Sequence, residues 1–275
     1  MNPENQAQMK FGLTKDMLAV PDLIRSFDTG RMRATAQQIA DAGRLLITGE
    51  GSSRLFPAKN AIAAARRAGS DLVTSTEAGL QAMEYSLDDW AVFALSNSGK
   101  TSEVIQLFHQ LKDGGHPHRY SLAAFADSPL ESLATTGYVL ECGPENAVAA
   151  TKSVVEQALF LQALVGLASG DDSLESSKSE LADQVQEALT YSIEPSIIQR
   201  VAAAKTIYWA GRNDGVAEEL TLKTNEIVRK PSDFLEGTYA AHGIEEVMHA
   251  DDVLIWVDPY PGSEEKFKTV LQDGV

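Results

Sequence analysis

A single cysteine, Cys142, stands in the whole 275-residue chain. That excludes an intramolecular disulfide and any multi-cysteine metal site. Basic residues are scarce as well: 23 Lys and Arg face 39 Asp and Glu, a formal charge of -16. The balance argues against nucleic acid or an anionic membrane surface as the main partner. Neither a helix-turn-helix nor a basic patch is present. No apolar run approaches the ~18 residues of a membrane span, and the opening MNPENQAQMK has no basic segment leading into an apolar core. The chain reads as cytoplasmic, with no nucleic-acid and no membrane partner. A third glycine is missing from the one stretch that imitates a dinucleotide fingerprint, since Gly49-Glu50-Gly51 is followed by Arg54 where it belongs. No cofactor is expected. His116-Pro117-His118 lacks a Cys or carboxylate partner, so no metal is expected either. His109, His116, His118 and His249 read as surface residues.

What is present is organised around residues 91–103, AVFALSNSGKTSE. A buried apolar run, Ala91 to Leu95, stops at Ser96-Asn97-Ser98-Gly99-Lys100-Thr101, and an amphipathic helix pattern follows from Glu103. A strand ending in small hydroxylated residues before a helix N-terminus is suited to an anion. Unpaired first-turn N–H groups, the helix dipole and several hydroxyls converge there. A serine-rich helix cap is the plainer alternative. In an acidic chain, such a local site must hold an anionic substrate against the overall field.

The same strand, Gly/Ser turn and helix recur over residues 44–65, with Ser52 and Ser53 in the turn. Further short strands are expected at 71–75, 119–125 and 137–141. Strands alternating with helices imply a parallel sheet covered on both faces, with every strand C-terminus on one edge. Before them, residues 11–43 read as two or three short helices with Met17, Leu18, Leu23, Ile24 and Phe27 inward, broken or begun at Pro21. After them, a long helix is expected over 148–167, a linker over 170–179, and a helical pattern from Leu181 to Ala204 broken at Pro195. The strand–turn–helix pattern then returns at 206–227, and a later strand at 252–257 is followed by a helix at 262–271. The fold class is therefore α/β: two flavodoxin-like parallel-sheet subdomains covered by helices, the second one short. The boundaries are an N-terminal helical segment at 1–40, a first subdomain at 41–170 and a second at 182–275.

Lys223 and Glu226 lie three apart on one expected helix and share a face. A carboxylate can take a proton alpha to a carbonyl, and an ammonium can stabilise the enediolate oxygen that develops. The spacing alone equally describes a surface ion pair worth under about 1 kcal/mol. His242 by itself equally describes a solvated loop residue.

Taken together, the motifs resemble the SIS (sugar isomerase) family in its tandem form, as in the isomerase half of glucosamine-6-phosphate synthase and its relatives. Gly51-Ser52-Ser53 resembles the family's first Gly-Thr/Ser-Ser loop, and Ser96-Asn97-Ser98-Gly99-Lys100-Thr101 its Ser-Gln-Ser-Gly-Glu-Thr loop. Gly143-Pro144-Glu145 with Val148-Ala149-Ala150-Thr151-Lys152 is similar to its Gly-x-Glu…Val-Ala-Ser-Thr-Lys segment. The resemblance spans about Met17 to the C-terminus. It implies that Ser53, Ser96, Asn97, Ser98 and Thr101 hold a substrate phosphate, that Ser52 assists, and that Val148 offers backbone contacts near the sugar. Lys223-x-x-Glu226 is similar to the family's Lys-x-x-Glu, whose Glu moves the proton between C1 and C2. His242-Gly243 is similar to a His-Gly pair whose histidine opens the sugar ring from the neighbouring subunit, which implies a homodimer with a shared active site.

There are departures. Lys100 stands where the family often has Glu, Arg54 where an aromatic is common, and Ala150 where the synthase has a sugar-contacting serine. The residues before His242 diverge, with Glu236 as a second acid there. No glutaminase domain is present in this sequence, and it stops at Val275, before the further strands and lysine-bearing tail usual in the family; either the second half is curtailed or another element replaces that tail. The resemblance implies a cofactor-independent phosphosugar aldose–ketose isomerase. The same proton transfer would serve an amino-sugar-phosphate deaminase or a fructosamine-phosphate deglycase. A sulfonated sugar would also suit the serine loops, and a non-catalytic regulator that binds a sugar phosphate is the reading of a different class.

Overall fold

Three short helices open the chain: α1 (Gly12–Leu18), α2 (Val20–Ser26) and α3 (Arg33–Ala42). The computed structural model describes residue 1 and residues 4–273. Pro21 lies in the first turn of α2, where its missing N–H leaves no helical hydrogen bond unmade. Strands and helices then alternate as β1 (Arg44–Thr48), α4 (Leu55–Arg67), β2 (Val73–Glu77), α5 (Gly79–Ala82), β3 (Ala91–Leu95), α6 (Ser102–Asp113), β4 (Arg119–Ala123), α7 (Pro129–Leu133) and β5 (Thr136–Val139). The five strands are parallel and ordered β2-β1-β3-β4-β5, the flavodoxin-like order.

The central strand β3 is buried along its whole length, which is why it reads as an unbroken apolar run rather than an alternation. Its residues divide between two cores. Phe93 and Leu95 join Leu45, Ile47, Tyr120 and Leu122 on one face, closed by α4 and by α8 (Lys152–Ala168). Val92 and Ala94 join Leu46 on the other, under Val104, Leu107 and Phe108 of α6. Phe93 packs its ring against Tyr120, Tyr138 and Phe160 at 5.6–6.5 Å between centroids.

The expected linker at 170–179 is instead largely helical. α9 (Ser173–Thr190) starts there because Leu174, Leu181 and Val185 lie on one face and pack on the first core, with Ala182 fully buried. The serines that suggested a linker are accommodated by bonding back to the helix: Ser176 and Ser177 both donate to Ser173 O. The long helix begins at Lys152, not at 148. Glu145 acts as its cap, accepting from the Thr151 and Ser153 N–H groups at 2.7 and 3.1 Å and from Ser153 Oγ at 2.7 Å.

The chain divides into two compact units, Met1–Tyr191 and Ser192–Val275. The second contains α10 (Pro195–Ala203), β6 (Ile207–Gly211), α11 (Val216–Lys223), β7 (Ser232–Glu236), β8 (Val253–Trp256) and α12 (Glu264–Asp273). Its strands form a parallel sheet in the order β7-β6-β8. β7 is a strand that the sequence reading lacks. Its SDFLE pattern is weak, and pairing with β6 creates it: Leu235 is buried and Ser232 Oγ donates to Ile207 O at 2.6 Å.

Candidate functional site

In the first sheet the strand order reverses between β1 and β3, and an open parallel sheet binds its ligand beyond the C-terminal ends of strands at such a point. The two serine loops are the loops that leave those ends. After β1, Gly51–Ser53 forms a 3-10 turn that places Ser52 and Ser53 just ahead of α4. After β3, Ser96–Thr101 leads into α6. Gly49 lets the two approach: a Cβ there would lie 2.9 Å from Leu95 O and 3.3 Å from Ser53 O. Ser52, Ser53, Ser96, Asn97, Ser98 and Thr101 are thus brought to one edge.

The second loop is internally braced. Ser96 is buried and its Oγ lies 2.8 Å from Thr101 Oγ1, while Ser98 Oγ accepts from Lys100 N at 3.2 Å. Gly99 takes a left-handed φ of 63°, and a Cβ on it would meet Ser128 at 2.4 Å. The Leu130 N–H donates to Gly99 O and the Ala124 N–H to Asn97 O, so the loop after β4 fixes the loop after β3. Asn97 Oδ1 is buried and accepts nothing among the described residues, which suits a hydroxyl donor on a ligand. Lys100 is exposed and Arg54 half-buried. Glu103, in the first turn of α6, is held below the usual carboxylate range by its own N–H and by Ser102 Oγ. It therefore stays ionised beside the same helix terminus.

A third loop, residues 140–151, runs from β5 to α8, and carboxylates shape it. Glu156 is completely buried in α8 and accepts from the Glu141 and Cys142 N–H groups at 2.9 and 2.7 Å. Arg31 Nη2 pairs with it at 2.7 Å, and the same guanidinium lies 5.1 Å from the Phe160 ring centre. Asp16 of α1, also buried, accepts from Asn146 N, Asn146 Nδ2 and Ala147 N at 2.6–2.9 Å, with Lys152 Nζ 3.7 Å away. Burial alone would raise the Asp16 pKa. The Asn146 side chain, the Ala147 and Asn146 N–H groups and Lys152 outweigh it and hold the carboxyl below its ordinary value. Burial and the nearby Glu156 push the Cys142 thiol up to about 12, so it is no nucleophile at neutral pH. Val148 projects from this loop fully exposed. α8 packs against the Gly51–Ser53 turn, so the third loop joins the same region.

The sequence reading does not single out Asp16 or Glu156, and it names Glu145 only within the Gly143-Pro144-Glu145 motif, without a role. Asp16 sits in a short helix between Lys15 and Met17, with no spacing that relates it to the 140–151 loop. Glu156 carried a signal: it interrupts the apolar helix between Val155 and Leu159, where an ionised side chain needs a partner.

In the second unit, Lys223 Nζ lies 3.0 Å from Glu226 Oε2 and 3.4 Å from Glu219 Oε1. α11 gives way at Thr224–Val228 to a single π-helical turn, which carries Glu226 on an exposed position. Such turns occur mostly as isolated distortions of α-helices, frequently at functional sites. Trp209 Nε1 donates to Thr224 Oγ1 at 2.9 Å and anchors the turn. His242 is exposed after the loop that leaves β7, its N–H bonded to Tyr239 O. Glu236, at the end of β7, is exposed. Among the described residues no cluster of three or more His, Cys, Asp or Glu is arranged to hold a metal ion. No helix of the described chain is long and apolar enough to cross a membrane.

Comparison with known proteins agrees with this geometry. The SIS domain profile matches residues 38–167. The isomerizing glutamine–fructose-6-phosphate aminotransferase of Xylella fastidiosa is 26% identical over 196 residues, 66% of this chain and 32% of the relative. The chain thus spans about a third of the length of that curated relative. In fold it is similar to the C-terminal domain of glucosamine-fructose-6-phosphate aminotransferase from Francisella tularensis, with a TM-score of 0.74, 15% identity, and coverage of 96% of this chain and 80% of that one. Glucosamine-6-phosphate deaminase from Thermotoga maritima is similar with a TM-score of 0.69, 18% identity, and coverage of 95% and 82%. The segment that matches the SIS domain, residues 38–167, is the one that holds the 2-1-3-4-5 sheet and the paired serine loops.

Proposed function

We propose that the protein is a cofactor-independent sugar-phosphate isomerase that moves a proton between C1 and C2 through an enediolate. The observation that carries this reading is the pairing of two serine loops at the switch point of the first sheet, one leading into the N-terminus of the twelve-residue α6. Ser53, Ser96, Asn97, Ser98 and Thr101, with Ser52 assisting, hold the phosphate, and backbone groups around Val148 face the sugar. Glu226 is the base and Lys223, 3.0 Å from it, stabilises the developing oxyanion. His242 opens the ring from the partner subunit of a homodimer. A monomer by light scattering that still turns over substrate would remove the shared-site part of the proposal.

The deaminating version of the chemistry uses the same base and is the second reading, supported by the similarity over 95% of this chain to the Thermotoga maritima deaminase. The test is a thermal-shift screen of the full chain against hexose 6-phosphates, their 2-amino derivatives, sulfo-sugars and inorganic phosphate. Ligands that bind the native state raise the melting temperature in proportion to RT ln(1 + [L]/Kd). A hexose or hexosamine 6-phosphate is expected to give the largest rise, and inorganic phosphate a smaller one. No rise with any phosphorylated compound would overturn the proposal.

A further inference from the structure

The N-terminal helices read as packing elements outside the sheet, yet α1 touches the third loop at two points. Gly12 and Asp16 are four residues apart and share one face of that helix. A Cβ on Gly12 would lie 2.4 Å from Asn146 O, so the helix backbone is in close contact with the loop. One turn later, the buried carboxylate of Asp16 gathers Asn146 N, Asn146 Nδ2 and Ala147 N. Two of these donors belong to the backbone immediately before Val148, and Lys152 at the start of α8 closes the far side at 3.7 Å. A carboxylate that is 1% exposed must be well satisfied to stay charged there, and these donors satisfy it.

We propose that Asp16 is a positioning residue: by fixing the path of residues 146–147 it presents the backbone around Val148 to the sugar part of the ligand. This rests on the reading that the serine loops take the phosphate and the third loop faces the sugar. Asp16 would not touch substrate. Its effect would be selective, because among the described residues the hydrogen bonds of Asp16 go to Asn146 and Ala147 and none goes to the loops after β1 and β3.

The test compares calorimetric titrations of the full chain with inorganic phosphate and with fructose 6-phosphate. In Asp16→Asn the fructose 6-phosphate affinity is expected to fall about tenfold, since charge-assisted hydrogen bonds to the loop are lost, while phosphate affinity stays within about twofold. Asn146→Ala removes only the side-chain donor and is expected to cost less than about threefold. Amide exchange at Asn146 and Ala147 in ligand-free Asp16→Asn should rise above wild type. Gly12→Ala displaces the loop without removing the charge, and the same selective loss is expected if Asp16→Asn fails to fold. Equal weakening of both ligands, or unchanged affinity with unchanged exchange, would overturn the proposal. Wild-type protein that binds neither ligand would instead overturn the proposed function, while faster exchange at Ala147 would still report the tether itself.

Discussion

Glu156→Ala is expected to destabilise the first unit by about 3–5 kcal/mol, the cost of removing one partner from a buried ion pair. The carboxylate is fully buried and holds Arg31 at 2.7 Å, so its removal leaves a guanidinium that is only 12% exposed with Glu141 as its remaining carboxylate. It also strands the Glu141 and Cys142 N–H groups, which lose their acceptor. Glu156→Gln retains an acceptor for those N–H groups and is expected to cost less. The measurement is native-state hydrogen exchange at the amides of β1 and β3, which open only with the core. A loss under about 1 kcal/mol for Glu156→Ala would mean that Arg31 re-pairs fully with Glu141, and that Glu156 does not hold the third loop.

Glu226→Gln is expected to slow proton exchange next to the substrate carbonyl by about 10²–10⁴-fold, the range for loss of a general base. The binding of inorganic phosphate should be unchanged, because the proposed role of Glu226 is at the carbonyl carbon and not at the phosphate. The side chain keeps its volume and its exposed position on the π-turn, so the fold has little reason to respond. A surface ion pair with Lys223 would behave differently. Its loss would cost under about 1 kcal/mol of stability and leave the exchange rate alone. The two readings of one 3.0 Å contact therefore separate cleanly in a single variant.

The sheet and the serine loops were legible in the sequence because both are local. Five residues of β3 are apolar without interruption, and a fully buried parallel strand has to look that way. The Ser-rich turns after β1 and β3 announce themselves by composition, and parallel topology puts them on one edge. What escaped is what depends on distant partners. Ser232–Glu236 becomes a strand only beside β6, and the helix expected from Leu181 starts already at Ser173 only because Leu174 joins Leu181 and Val185 on the core. Val148 looked like the first turn of a helix. It lies in a loop because Glu145 takes the Thr151 and Ser153 N–H groups and starts the helix at Lys152, while Asp16 fixes the backbone at 146–147 just before it. Carboxylates from α1 and α8 that converge on one loop have no sequence spacing to betray them.

The most direct test of the central claim is proton NMR of the best-binding hexose 6-phosphate incubated with the wild-type protein in deuterated water. Loss of the carbon-bound proton signal adjacent to the carbonyl, at a rate that Glu226→Gln abolishes, is the result expected of an enediolate isomerase or its deaminating relative. Tight binding with no exchange in either protein would contradict catalysis by Glu226, and would make the protein a sugar-phosphate sensor built on the same serine loops.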